Sequence, residues 1–399
     1  MSDWQDLNIG SICIKIIDYR GKTPEKVLSG TKLITSKVIK NSRILDNANF
    51  EYIRDDKYEE VMRRGKPEFQ DILLTTEAPL GEVALIKSDE KIAIAQRIIL
   101  LRADQDKVIP DFLFYSLRGP IGYNRVQQKG TGTTVLGIKN PELKKVILPI
   151  PPLPTQQKIA KILSNYDDLI ENNLKRIKLL EESARLTYEE WFLRFRIDGK
   201  KLEIDPESSL PFGWELVELG DFLKFKKGKK ADEIFEEKKD NLIKLLLLSG
   251  LGSGEYAYVE KARHVIARRG DVLMTMDGAR SSVVFYSEDG AVGSTMSLVE
   301  TGKLPKSYLY HFFKSTYEWL EINNTGAAIP HANKSFINKM KIIHPGDEIL
   351  TKWSKKMYHI NDQVFNLKDQ NQLLKEARDI LLPRLMTGMI DTDELDIAV

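Results

Sequence analysis

Between Gln156 and Trp191 the chain holds neither glycine nor proline, and one set of positions returns at alternating steps of four and three: Ile159, Leu163, Tyr166, Ile170, Asn173, Ile177, Leu180, Ala184, Thr187 and Trp191. That rhythm is the heptad seam of a long helix, with its apolar stripe on one side and charge around the rest. The same rhythm returns in Trp353, Met357, Ile360, Val364, Leu367, Asn371, Leu374, Arg378 and Leu381, and is expected to stop at the helix breaker Pro383. Thr155 and Asp347 carry the short oxygen side chains that cap a helix start. Just ahead of the first seam, "VILPIPPLP" (Val146–Pro154) reads as an apolar strand shut off by prolines, a hinge between a globule and a rod.

The pattern before each seam is itself duplicated. "WQDLNIG", from Trp4, returns as "WELVELG", from Trp214; "DILLTT" (Asp71–Thr76) returns as "DVLMTM" (Asp271–Met276), each a short buried strand after a turn. "PDFLFY" (Pro110–Tyr115) matches "PKSYLY" (Pro305–Tyr310), "TGTTV" (Thr131–Val135) matches "TGAAI" (Thr325–Ile329), and "LLEESAR" (Leu179–Arg185) matches "LLKEAR" (Leu373–Arg378). Echoes kept in one order mean one unit used twice. The expected class is α+β: two similar mixed α/β globules, each followed by a long helix, the helices pairing as an antiparallel coiled coil about an internal pseudo-twofold repeat. The boundaries read as globule 1–152, helix 153–196, second globule with its entry linker 197–345, helix 346–388 and acidic tail 389–399.

Composition narrows the function by exclusion. With 399 residues, 42% hydrophobic and 30% charged, the chain has room for two or three ordinary domains. No apolar run reaches the roughly 18 residues of a membrane span, and the first residues lack a signal core, so a cytoplasmic location is expected. A single cysteine, Cys13, makes neither an internal disulfide nor a cysteine zinc site. His264, His311, His331, His344 and His359 fall in no metal-binding spacing, no P-loop exists, and "SGLGSGEY" (Ser249–Tyr256) lacks the strand–turn–helix setting of a dinucleotide site and reads as a loop. No aromatic-flanked Asn-Pro-Pro or Asp-Pro-Pro segment of an amino-methyltransferase is present. One catalytic pattern remains as an alternative: Asp111, Glu142 and Lys144 match a metal-dependent nuclease motif in order. Against it, Pro110 marks a helix start, its repeat counterpart is Pro305-Lys306, and Glu142–Lys144 reads as a loop. A helical scaffold without a DNA role is the other alternative.

Net charge is only +2, so nucleic-acid binding has to rest on local patches. These exist in both repeats: "DYRGK" (Arg20, Lys22) and "MRRGK" (Arg63, Arg64, Lys66) in the first, "KFKKGKK" (Lys224–Lys230) and "KARHVIARRG" (Arg263, Arg268, Arg269) in the second. Lysine and arginine beside glycine suit phosphate, because small turns let the backbone approach while cations displace counterions. The DNA-contact candidates are Arg20, Lys22, Arg63, Arg64, Lys129, Thr131 and Thr133 in the first repeat, and Lys226, Lys227, Arg280, His331, Asn333 and Lys334 in the second.

The exit "PIPPLPTQQKIAKIL" with its long helix, the start "LPFGW" at Leu210–Trp214 and "ARDILLPRLMTG" at Ala377–Gly388 resemble the specificity subunit of bacterial and archaeal type I restriction-modification enzymes. The first repeat departs from that pattern, opening on "SDW" in place of a full "LPxGW". The resemblance implies that the globules are target recognition domains, each reading half of a bipartite DNA site. It implies too that the helices are a spacer and a docking surface for two modification subunits. Those partners would carry S-adenosylmethionine and methylate adenine; a restriction subunit would bring ATP and Mg, and this chain would hold no cofactor and no catalytic residue. A helix over 156–191 is roughly 54 Å long at about 1.5 Å per residue, which limits half-site centres to about 16 base pairs at about 3.4 Å each.

Overall fold

The computed structural model describes residues 3–21, 24–45, 49–254 and 256–392. The chain forms two compact units, Met1–Glu171 with Leu373–Val399, and Asn172–Gln372. The division falls inside both long helices, so each unit owns one globule and a stretch of each helix.

Among the described residues, nine strands build the first unit: β1 (Gln5–Asn8), β2 (Cys13–Asp18), β3 (Thr31–Ile34), β4 (Glu51–Ile53), β5 (Ile72–Thr76), β6 (Leu80–Leu85), β7 (Ile92–Ile94), β8 (Ile98–Ala103) and β9 (Ile147–Ile150), the two-residue ladder Ile39–Lys40 with Arg43–Ile44 aside. The central sheet has the order β2-β8-β5-β6, antiparallel throughout. Beside it, β3 lies antiparallel to β4 and parallel to β7. Three helices, α1 (Pro110–Arg118), α2 (Pro120–Gln128) and α3 (Asn140–Lys144), lead to β9, which pairs with β1. The period-two alternation of the central strands decides what packs where. Ile72, Leu74, Ile99 and Leu101 face Phe112, Leu113 and the long helices. Leu73, Ala84, Ile98 and Leu100 face the second sheet at Leu33, Ile34, Ile53 and Ala93.

The second unit repeats the plan with β10 (Glu215–Glu218), β11 (Lys224–Lys227), β12 (Leu242–Leu246), β13 (Ala257–Glu260), β14 (Ile266–Ala267), β15 (Val272–Thr275), β16 (Val284–Tyr286), β17 (Gly290–Val292), β18 (Met296–Glu300) and β19 (Lys341–His344). Its central order β11-β18-β15-β16 reproduces that of the first unit; β12 again has one antiparallel and one parallel neighbour, and β10 pairs with β19. The helix α4 (Leu153–Tyr188) precedes this globule, and α5 (Lys306–Ser315), α6 (Tyr317–Ile322), α7 (Lys334–Lys339) and α8 (Asp347–Met386) follow in the order of their counterparts. A shared turn seals the match: the carboxylate of Asp71 accepts from the Glu68 amide at 2.7 Å, and that of Asp271 from the Arg268 amide at 2.7 Å.

Both long helices run through the two units and are antiparallel within each. In the first, Asp167 meets Arg378 and Lys158 meets Thr392. In the second, Ile177 packs with Val364 and Leu367, and Trp191 lies 5.9 Å from Trp353. Asn173 and Asn371, both buried, hydrogen-bond to each other at 3.0 Å, a pairing that a one-turn slip of either helix breaks.

Several local expectations give way to tertiary contacts. Helix α4 starts at Leu153, two residues ahead of the expected cap Thr155, because Pro154 tolerates a first turn where its missing N–H has no partner to lose. The proline joint is fastened: buried Gln156 accepts from the Ile109 amide at 2.8 Å and donates to the carbonyls of Lys107 and Pro151 at 2.9 and 2.8 Å. Pro383 does not stop α8, which continues to Met386. A proline in a helix interior costs about 3 kcal/mol. Burial of Leu382, Leu385 and Met386 against the first core, at about 1.5–3 kcal/mol each, exceeds that cost. A wide π turn at Glu189–Leu193 turns both Trp191 and Phe192 inward. Two segments expected as loops, Glu142–Lys144 and the stretch after Leu248, form single helical turns.

Candidate nucleic-acid interface

In the first unit the candidate cations gather where β2 ends. The guanidinium of Arg20 donates to the carbonyl of Ile138 and lies 3.4 Å from Asp18. Arg64 donates to the carbonyls of Asp18 and Arg20, the latter at 2.6 Å, so its charge is used to hold this exit. Arg63 is exposed on the rim of a cleft whose walls include Arg20, Arg54, Tyr19, Ile53 and Gln96. Lys22 lies outside the described residues. Ile138 follows the loop Thr131–Gly137, where Thr131 and Thr133 are exposed, and exposed Lys129 caps the end of α2 just before it. Arg20 therefore ties the strand exit, the Thr-Gly loop and the arginine cleft into one face.

The second unit centres its candidates on a carboxylate. Asp277 follows β15, and its oxygens lie 2.8 Å from His331 Nδ1 and 3.4 Å from Lys227 Nζ. Desolvation pushes the Asp277 carboxyl up, but the hydrogen bond with His331 and the charge of Lys227 outweigh it and hold the group below the usual carboxylate range. Lys226, the neighbour of Lys227 on β11, pairs with Glu300 at 2.6 Å. Exposed Lys334 and Arg280 sit over the rings of Phe225 and Phe285, at 5.7 and 5.6 Å. Exposed cations resting on rings keep their polar ends toward solvent, as a phosphate or a base edge requires.

Asn333 has structural work: its Oδ1 accepts from the Phe336 amide at 3.0 Å and caps α7. The basic run around Arg268 is not one surface either. Arg269 pairs with Asp369 at 2.5 Å and covers the Phe365 ring at 4.8 Å, fastening α8 to its globule. Sequence reasoning missed the acid at the end of each central strand, Glu77 and Asp277, which occupies the same place in both repeats one residue past the echoed segments. Glu77 pairs with Arg97 at 2.8 Å. A carboxylate among cations orients their donors and can itself accept from the cytosine amino group.

The nuclease residues stand in separate surroundings. Asp111, in the first turn of α1, is half-buried, and burial raises its carboxyl, with Lys87 and Asp168 as charged neighbours. Glu142 is partly exposed and pairs with Lys145 at 2.7 Å. Among the described residues, no group of three or more His, Cys, Asp or Glu side chains is placed to hold a metal ion, and no helix is long and apolar enough to cross a membrane.

A family model described as type I restriction modification DNA specificity domain matches residues 1–182 and 211–377, one match per repeat. The specificity subunit of type I restriction enzyme MjaIX from Methanocaldococcus jannaschii is 28% identical, over 81% of this chain and 78% of that one. The MjaVIII specificity subunit of the same organism is 22% identical over 99% of this chain and 94% of its own length. Among solved structures, the S subunit of a type I restriction-modification system from M. genitalium has the same fold, with a TM-score of 0.56 at 18% identity and 96% of each chain covered.

Proposed function

We propose, since the chain belongs to the family of type I restriction modification DNA specificity domains, that it is the DNA-specificity subunit of a restriction-modification complex. Each unit reads one half of a bipartite, gapped site. The long helices set the gap and dock two modification subunits, which methylate adenine. In this reading the chain is not itself an enzyme. S-adenosylmethionine belongs to the modification subunits, and ATP with Mg to a restriction subunit where one joins.

The observation that carries the reading is duplication with divergence. One sheet order, one crossover and one Asp turn occur twice, while the exposed side chains on the matching faces differ. A two-part target requires two readers on one frame. Phosphate contacts position such readers, and base-edge contacts by Arg280 or Arg20 would specify sequence.

The test is to co-express the chain with a modification subunit and map modified adenines across the host DNA. A two-part gapped motif that disappears when this chain is omitted is the expected result. An active co-purifying complex that makes no new modification would overturn the reading. Arg280→Ala is expected to relax recognition in one half-site only, and a loss spread over both halves rejects a base-reading role for it.

A further inference from the structure

The two Thr-Gly loops, Thr131–Gly137 and Thr325–His331, are built alike from different residues. Each is closed by a reciprocal pair of backbone hydrogen bonds, at 2.7 and 3.0 Å between Thr131 and Gly137 and at 2.9 and 2.7 Å between Thr325 and His331. Each is then hung on the end of the central sheet, Ile138 donating to the Thr76 carbonyl at 3.0 Å and Ala332 to that of Met276 at 2.8 Å. Gly132 and Gly326 have φ of +127° and +90°. A Cβ added at either would lie 2.3 Å from the carbonyl oxygen of the loop tip, Val135 in one case and Ile329 in the other. Only glycine allows this approach, so the same folded-back tip is enforced in both units.

What the tips present is aliphatic. Val135 is 51% exposed, Leu136 40% and Ile329 57%. Exposed aliphatic groups on closed, pinned loops gain nothing for the core, yet both repeats hold one at the same place. Charged and polar groups stand around them: Lys129, Arg20 and Glu77 beside the first loop, Lys334, His331 and Asp277 beside the second. A rigid aliphatic tip flanked by lysine and arginine is suited to a DNA groove, where it meets thymine methyls or sugar faces.

We propose that the two Thr-Gly loops are a matched pair of groove probes, each pressing its tip, Val135 with Leu136 or Ile329, onto the half-site that its own unit reads. This rests on the DNA-specificity reading above. Once the motif is mapped, the complex of this chain with its modification subunit is titrated against a labelled duplex carrying it. Val135→Asp and Ile329→Asp are each expected to weaken binding tenfold or more, while Ile329→Leu stays within about threefold. A photo-crosslinking residue at position 135 is expected to mark one half-site, and at position 329 the other. Replacing thymine by deoxyuridine in the marked half-site separates the sources: weaker binding identifies a base methyl, unchanged binding a sugar contact, and either supports the probe. If the wild-type complex binds its motif but both Asp variants bind within twofold and neither position crosslinks, the probe is overturned and the specificity reading survives. A complex with no motif at all overturns both.

Discussion

Substituting Asp167 by Asn tests how the first globule is fastened to its long helices. One carboxylate there serves three donors: Tyr115 Oη at 2.8 Å, Arg118 at 3.0 Å and Arg378 at 2.5 Å. Arg118 and Arg378 have side chains only 12% and 11% exposed, and the second acid in reach, Asp379, lies 3.6 and 2.8 Å from them. Burial and the neighbouring carboxylate hold the Tyr115 phenol well above its usual range, so it remains a donor. Removing the charge of Asp167 leaves two buried cations sharing one half-exposed acid, and the amide can satisfy only part of the donors. Breaking a buried ion pair from one side costs about 3–5 kcal/mol, against a total stability of about 5–15 kcal/mol for a domain. Hydrogen exchange across 110–118 and 159–170 under increasing urea reads the first unit alone and should show that loss. It should persist in 0.5 M salt, because a buried site is screened far less than a surface one. A loss under about 1 kcal/mol, or one abolished by salt, would refute the argument that this network fastens the helices.

Other perturbations follow from the same structure. Burial lowers the His311 imidazole to about 4 from its ordinary 6.5, with Lys314 adding to the shift. The folded state therefore prefers the neutral ring: stability is full above about pH 6.5, falls through the interval down to about 4 and levels off below, a loss of about 3 kcal/mol. Urea midpoints for the second unit should lose this His311-dependent component in His311→Phe. Asn173→Leu or Asn371→Leu alone should cost about 1–3 kcal/mol by breaking the buried amide pair, while the double variant should recover most of it, as chemical denaturation of all three variants would show. Deleting one heptad from each long helix removes about 10 Å, and should shorten the mapped gap by about three base pairs without changing either half-site. An unchanged gap would rule out the helices as the spacer.

Legibility in the sequence followed how local the physics is. The seam could be read because burial along a helix repeats every three or four positions, and Ile159, Leu163, Ile177, Trp353 and Met357 are all buried. Where α8 ends could not: a proline argues for a stop, and only the contacts of Leu382, Leu385 and Met386 with a core far off in sequence reverse it. The interface was harder. Asn333 looks like an adenine reader until the Phe336 amide claims its oxygen, and Arg269 looks like a phosphate ligand until Asp369 and Phe365 take it. Asp277 and Glu77 were within reach of the repeat alignment, but carboxylates beside cations do not advertise a DNA face.

The two units differ in a way that separates frame from reader. Apart from the aliphatic loop tips, what they share is chemistry turned inward or carried by backbone: Asp71 and Asp271 bonded to their own turns, Gly132 and Gly326 with no side chain to offer, and the parallel crossover beneath the central sheet. What they do not share is exposed, with Lys129 and Thr133 on one face against Lys227 and Arg280 on the other. Even the buried acid of the shared turn is neutralised differently, by Arg102 in one unit and Lys306 in the other. Much of what fixes the fold is thus turned inward or carried by backbone, while the exposed side chains of the two faces differ without a change of sheet order. That separation lets one frame, used twice in a single chain, present two unlike halves of a target.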